Sequence, residues 1–280
     1  MKIPELIKLA LPNSIKKIGL STRYSWRSYK HPGSKYCCSI CKQKFDRFIS
    51  LSSICNGKFL VDVDVNNVIY SVNDYETLSI ENFMCPVCGA QDKARMYALY
   101  LSKKLEEYIP GQKVKLLHFA PEAGLENLLK YDARVDYRSA DLLRDNVDDR
   151  VDLTDMRIYA DCSFDAVICS HILEHIPSDK AAVRELYRVL KRGGWGIVMV
   201  PILTTLTHTF EDFTKTTEAE RIKHFGQEDH VRIYAKNDFI SLLETARFLV
   251  RQLGLNYFGK DKFENNGLSE KSVLYLVQKQ

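Results

Sequence analysis

Two cysteine pairs, Cys38-Ser39-Ile40-Cys41 and Cys85-Pro86-Val87-Cys88, have the spacing that turns both sulfurs of a pair toward one ion. Together they supply four thiolates, the donor set of a closed structural zinc site with no open position for catalysis. The 43 residues between the pairs exceed the usual spacing, so the hairpin insert must bring the pairs together. A redox dithiol or ordinary buried cysteines are the rival readings. Cys37 is out of phase with the first pair, and Cys55, Cys162 and Cys169 read as packed thiols. A second concentration of reactive side chains lies at Ser170-His171 and Glu174-His175, and a third at Glu211-Asp212 and from Gln227 to Tyr234. Histidine is the natural general base for a hydroxyl nucleophile near neutral pH. His230 is the expected base, oriented by Asp229, with His171 as a second candidate. Arg232 is expected to hold an anionic group of a substrate lined also by Glu211, Asp212, Gln227 and Tyr234. The structural alternative is an Asp-His-Arg network that fastens a loop, and His175 is expected to pack or cap a turn.

These groups need a frame. Strand-like apolar runs fall at Val114–Phe119, Val135–Ala140, Phe164–Cys169, Trp195–Val200, Phe248–Leu255 and Val273–Val277. Helical periodicity marks Asp92–Tyr108, Glu122–Tyr131, Asp179–Lys191 and Lys236–Ala246. The alternation predicts an α/β fold with a doubly wound, mostly parallel sheet. The helix from Asp179 places Ala182, Val183, Leu186, Val189 and Leu190 on one face. Ser178 or Asp179 is expected to cap its start, and Gly193-Gly194 to end it. Between the cysteine pairs, Phe59–Val65 alternates at period two, Asn66-Asn67 makes a turn, and Val68–Val72 returns. Ligands of open parallel sheets bind beyond the carboxyl ends of the strands, where Ser170, His171 and Glu174 fall.

The run Phe164-Asp165-Ala166-Val167-Ile168-Cys169-Ser170-His171-Ile172-Leu173-Glu174-His175-Ile176-Pro177, with its following helix, resembles the stretch after the fourth strand of class I S-adenosylmethionine-dependent methyltransferases. The resemblance covers about residues 93–280 and implies a seven-stranded sheet with a cofactor at its crevice. The first loop departs from the family's Gly-x-Gly-x-Gly: only Gly124 remains, Ala120 and Glu122 stand at the other two positions, and His118 replaces the usual acid. Carried over residue by residue, the resemblance places the cofactor against Phe119, Ala120, Pro121, Glu122, Gly124, Ser170 and His171. Asp141, with Leu142, would meet the ribose hydroxyls, and Asp152-Leu153 the adenine. A nicotinamide dinucleotide fits less well, because no Gly-x-Gly-x-x-Gly receives a pyrophosphate and Glu122 would repel one. The segment around His230 resembles one in bacterial methyltransferases that carry a cysteine-rich head and are associated with surface-glycan pathways.

Composition sets the partners. Residues 1–47 carry eleven Lys and Arg against two acids, a net charge of +9 that leaves −5 for the remainder. A basic, aromatic head suits an anionic membrane surface or single-stranded RNA, or packs against its own domain. No run reaches the apolar length of a membrane span and no signal-peptide core is seen, so a cytoplasmic protein is expected, with peripheral membrane contact as an option. The expected organisation is a basic amphipathic arm at 1–35, a zinc-ribbon-like module at 36–91 and a methyltransferase domain at 92–280. The leading expectation is methyl transfer to a small-molecule or saccharide-type acceptor, with a surface-glycan or lipid-linked acceptor as an option. An RNA base methyltransferase and a non-catalytic cofactor-binding protein are the alternatives.

Overall fold

A computed structural model of the chain describes residues 33–55, 62–109 and 111–280. The basic amphipathic arm expected at 1–35 therefore lies outside the described residues as far as residue 32, as does the start of the expected Phe59–Val65 strand up to residue 61. The described chain opens with two short pairs of strands, β1 (Tyr36–Cys37) with β2 (Lys44–Phe45), and β3 (Val63–Val65) with β4 (Val68–Tyr70), separated by α1 (Leu51–Cys55). Asn66 and Asn67 both take left-handed backbone, at φ 53° and 66°, as a two-residue hairpin turn requires.

The long helix α2 (Asp92–Lys104) leads into β5 (Val114–Phe119), α3 (Ala123–Lys130), β6 (Val135–Asp141) and the two-residue β7 (Asp149–Arg150). The chain continues through β8 (Phe164–Ser170), α4 (Asp179–Val189) and β9 (Leu190–Met199). It ends with β10 (Phe210–Glu211), α5 (Glu218–Phe225), β11 (Arg232–Ile233), α6 (Lys236–Thr245), β12 (Phe248–Leu253), α7 (Leu255–Phe258), α8 (Lys260–Asn265) and β13 (Leu274–Lys279). The central sheet has seven strands in the order β12-β13-β9-β8-β5-β6-β7. Every neighbouring pair from β9 to β7 is parallel, and β13 runs antiparallel to both of its neighbours. This is a mixed α/β architecture with a mostly parallel central sheet, as the alternation of strands and helices predicts.

From β5 the chain crosses through α3 to β6 on one side, and then returns to β8 on the other. The switch point therefore lies between the carboxyl ends of β5 and β8, where an open parallel sheet leaves a crevice. The strands that flank it are buried on both faces, so they read as continuous apolar runs. Ala182, Val183, Leu186 and Val189 of α4 are fully buried against the same core, each large side chain contributing about 1.5–3 kcal/mol of burial.

Three local expectations are corrected. Gly193-Gly194 do not end α4, which stops at Val189 with Leu190 already extended. They sit inside β9 as a bulge: Phe164 pairs with Leu190 but Ala166 pairs with Trp195, and Gly193 is left-handed at φ 74°. A Cβ on Gly194 would lie 2.8 Å from the Lys191 carbonyl oxygen, so the bulge needs its glycine. Ser178 occupies the N-cap of α4, but its side chain makes no capping hydrogen bond. The Asp179 carboxylate instead accepts a hydrogen bond from Tyr234 at 2.8 Å. Finally, the β3–β4 hairpin does not hold the cysteine pairs together. Its Val63 and Val65 pack with Leu203, Phe225, Ile233 and Ala235, whereas the chain closes on itself at the Ile49–Met84 bridge. Among the described residues, no helix is long and apolar enough to cross a membrane.

Candidate functional site

The two cysteine pairs fold as a matched pair of turns. Cys38 N donates to Gln43 O and Lys42 N to Cys38 O, just as Cys85 N donates to Ala90 O and Gly89 N to Cys85 O. Lys42 and Gly89, each following the second cysteine, are both left-handed, at φ 57° and 74°. Cys38 and Cys88 sulfurs lie 3.7 Å apart, Cys41 and Cys85 sulfurs 3.8 Å, and all four sulfurs fall within 4.8 Å of one another. Ligands at the Zn–S bond length of about 2.3 Å stand about 3.8 Å apart on a tetrahedron, so the four residues fit a zinc ion. Hydrogen bonds among the four thiols push Cys38 and Cys41 down and Cys85 and Cys88 up. Cys37 stands apart, its thiol donating to the Lys42 carbonyl at 3.8 Å.

The knuckles are tied to the sheet domain by a residue that sequence reasoning missed. Arg95 of α2 is fully buried and donates to the carbonyls of Asn266, Phe83, Ala90 and Asn82 at 2.9, 3.1, 2.8 and 2.5 Å. Ser39, inside the first pair, donates its hydroxyl to the Arg95 carbonyl and its amide to the Asn266 side chain. A Cβ on Gly124 would meet Ile40 and Ala90 at 3.6 Å, so the cysteine knuckles rest directly on the first loop of the crevice.

At the crevice, two non-glycine residues take left-handed backbone side by side: Ala120 (φ 45°) after β5 and His171 (φ 54°) after β8. Such backbone clusters at functional sites, and Ala120 keeps the turn at a position where the family has glycine. Phe119, Pro121 and Ser170 are buried beside them. Ser170 shares a hydrogen bond of 3.0 Å with Tyr97 of α2, a second residue that carried no sequence signal. His118, at the usual place of an acid, is fully buried between Tyr137 (3.1 Å) and Glu122 (3.0 Å). Burial alone would raise Glu122, but the His118 hydrogen bond and charge bring it down to about 2. The loop thus presents an anionic carboxylate where a sulfonium or ammonium would be welcome.

Asp141 closes β6 and its Oδ1 accepts from the amides of Leu143 (2.7 Å) and Arg144 (3.0 Å). Arg144 Nε lies 3.2 Å from Asp141 Oδ2 and its Nη1 donates to the Pro121 carbonyl, so it bridges the expected ribose site and the first loop. Leu142 is about half exposed, whereas Leu153 is buried in the core. Asp152 is exposed, with Oδ1 taken by the amide and hydroxyl of Thr154 at 2.8 Å.

On the acceptor side, the short turn at Leu173–His175 and the segment leading to β11 are locked together. Val231 N donates to the Glu174 carbonyl, and Arg232 donates to the carbonyls of Leu173, Ile176 and Pro177. Arg232 also pairs with Glu211 (Nε to Oε2, 2.6 Å), and Tyr234 bonds Asp179. Arg232 is 1 % exposed, so the expectation that it grips an anionic substrate group is replaced by a clamp on the post-β8 turn. Asp212 is likewise engaged locally by Thr214, while Gln227 is half-buried. The Thr217-x-x-Glu220 capping box that starts α5 was a readable signal of this helix.

Asp229 meets His175, not His230: its Oδ1 lies 3.4 Å from His175 Nδ1, while His230 Nδ1 faces the Phe225 carbonyl at 3.2 Å. The expected Asp229-to-His230 orientation is therefore corrected. The two imidazoles pack edge to face with centroids 4.7 Å apart. Burial and the neighbouring His175 lower His230 to about 4, whereas Asp229 and Glu174 outweigh burial and raise His175. Burial would raise Glu174, but His171, His175 and His230 hold it at about 2. His171 Nε2 is buried without a hydrogen-bond partner among the described residues.

Residues 125–198, from α3 through most of β9, match the family described as a methyltransferase domain. The uncharacterized protein YafE of Escherichia coli (strain K12) is 35% identical over 96 residues, 34% of this chain and 43% of that protein. The matched region thus spans less than half of that relative's length. Among solved structures, the CurJ carbon methyltransferase is similar at 13% identity and a TM-score of 0.46, covering 70% of this chain and 56% of that one. A SAM-dependent methyltransferase from Archaeoglobus fulgidus is similar at 12% identity and a TM-score of 0.42, covering 66% and 94%. The family match begins after β5, covers β6, β7, β8 and most of β9, and supports a methyltransferase domain in this part of the chain.

Proposed function

We propose that this chain transfers a methyl group from S-adenosylmethionine to a small-molecule or saccharide-type acceptor. The observation that carries the reading is the family match over residues 125–198, which includes β8 and the turn bearing Ser170, His171 and Glu174. When bound, S-adenosylmethionine supplies an activated methyl group that is displaced in line by a nucleophile. The chain's own part is then to orient both reactants and exclude water. Phe119, Ala120, Pro121, Glu122, Gly124, Ser170 and His171 form the wall of the crevice that would receive the cofactor, with the Glu122 carboxylate matching its positive end. Asp141 and Leu142 at the end of β6, with Asp152 and Leu153 beyond β7, are the residues we assign to its nucleoside. His171, His230 and Asp229 stand on the acceptor side, together with Glu211, Asp212 and Gln227 around the clamp.

We assign a structural zinc ion to Cys38, Cys41, Cys85 and Cys88, which the spacing of the sulfurs supports. In this reading residues 36–91 serve the methyltransferase domain at 92–280 as a brace on its cofactor loop, through Ile40 and Ala90 against Gly124. A surface-glycan or lipid-linked acceptor fits the basic arm at 1–35, which would bring the enzyme to an anionic membrane.

The test is calorimetry of S-adenosylmethionine and S-adenosylhomocysteine binding to the zinc-replete protein, with Asp141→Ala as control. Micromolar binding that the substitution weakens at least tenfold is expected. A folded, zinc-loaded protein that binds neither compound overturns the reading and leaves a non-catalytic protein.

A further inference from the structure

We propose that Glu174, His175 and His230 form a second metal site, one that takes a divalent transition metal through two imidazoles and a carboxylate. One ligand atom from each residue falls within 4.8 Å of the others. Glu174 is 1 % exposed, and neither of its carboxylate oxygens has an aligned hydrogen-bond partner among the described residues. A buried carboxylate left this way is costly unless a cation or a donor completes it. His171 Nδ1 lies 3.4 Å and His175 Nε2 4.0 Å from Glu174 Oε1.

The histidines are held as metal-bound histidines are held. His175 turns Nδ1 toward the Asp229 carboxylate at 3.4 Å, which leaves Nε2 toward Glu174. His230 turns Nδ1 toward the Phe225 carbonyl at 3.2 Å, which leaves its Nε2 for a ligand. A carboxylate or carbonyl on the far nitrogen fixes the tautomer and raises the basicity of the near one, the usual outer arrangement around a metal. The frame is rigid as well: Val231 N holds the Glu174 carbonyl at 2.9 Å, and the neighbouring Arg232 holds the carbonyls on either side of His175. The ligands thus come from two segments that are already fastened to each other.

The donor set separates this site from the four cysteines. Nitrogen and oxygen donors suit Zn(II), Co(II), Mn(II) or Fe(II), and three protein ligands leave positions open. The site lies just past the carboxyl end of β8, on the side of the sheet where ligands bind. A metal here would bind and acidify an acceptor hydroxyl; this use, unlike the site itself, rests on the methyl-transfer reading.

The test is metal stoichiometry of the full chain, dialysed with zinc and then freed of excess, by elemental analysis. The expected result is two zinc ions per chain, falling to one in Glu174→Gln and in His230→Asn. Cobalt substitution distinguishes the two sites: the variants should keep the thiolate-to-cobalt charge-transfer band of the cysteine site. Asp229→Asn should retain the second ion but weaken it about 10–100-fold. One ion per wild-type chain, or two in Glu174→Gln, overturns the proposal. Neither readout depends on S-adenosylmethionine, so failure of the methyl-transfer reading would leave the metal result standing.

Discussion

Arg95 Nε donates to the Asn266 main-chain oxygen at 2.9 Å, while the Asn266 side-chain oxygen accepts from Ser39 N at 2.8 Å. Through this pair of residues the first cysteine turn, the helix α2 and the end of α8 are fastened at one buried point. The Arg95 guanidinium also lies 4.0 Å from the Phe48 ring centroid, and the buried Asp92 carboxylate favours its charge together with the carbonyl dipoles. Replacing it removes the donor to four main-chain carbonyls at once. Arg95→Met should therefore destabilise the protein by about 3–5 kcal/mol, because buried acceptors are left unpaired. Urea unfolding measures this directly; a loss below about 1 kcal/mol would show that water or repacking satisfies those carbonyls.

Chelation should act through the same region. If the four cysteines hold zinc, stripping it with a strong chelator should lower Tm by about 10 °C, since structural zinc contributes directly to folding. Because Ile40 and Ala90 touch the Gly124 position, S-adenosylhomocysteine affinity should fall together with zinc content. Cys85→Ser should reproduce both effects. Calorimetry before and after chelation separates this brace from an independent module, for which affinity would stay unchanged.

The buried Glu122–His118 pair makes a pH prediction whose sign follows from the depressed carboxylate. Glu122 is at about 2 in the folded chain, below its unfolded value of about 4.3, so the unfolded state binds the extra proton. Its contribution is complete above the unfolded value and is lost as pH falls toward about 2. Wild type should exceed Glu122→Gln by about 2 kcal/mol at pH 7, and the margin should shrink below about pH 5. Urea midpoints of both proteins at pH 7 and pH 4 test it. A margin that does not change with pH would mean that the pair contributes through packing alone.

The parts of this fold that were legible in the sequence are those where one period dominates. The apolar runs of β5 and β8 and the stripe on α4 were readable because each buries a whole strand or one helix face. The hairpin turn at Asn66-Asn67 was readable because few residues tolerate both left-handed positions. Other features depend on contacts that join distant segments. Arg95 looks like an ordinary surface arginine on a helix until Asn82, Phe83 and Asn266 are brought around it. Gly193-Gly194 suit a helix stop and a bulge equally, and only the pairing of β9 with β8 decides. Likewise Asp229 and His230 are adjacent in sequence, yet backbone geometry sends the carboxylate to His175. The reactive side chains do gather at the turns after β8 and before β11, but how they pair is set by tertiary contacts.

The last prediction concerns Arg232, whose role changes what a mutation should do. A substrate-gripping arginine would alter KM when replaced and leave stability nearly intact. A clamp that donates to Leu173, Ile176 and Pro177 and pairs with Glu211 should do the opposite. Lysine retains the charge but cannot reproduce the planar fork, so Arg232→Lys should cost about 2–4 kcal/mol. Release of the clamp should also open the segment between β10 and β11 to faster proteolytic cleavage. Limited proteolysis with mapping of the first cut, beside urea unfolding, distinguishes the two roles. A stable variant cut at the wild-type rate would return Arg232 to the substrate, and would require the three carbonyls to find other donors.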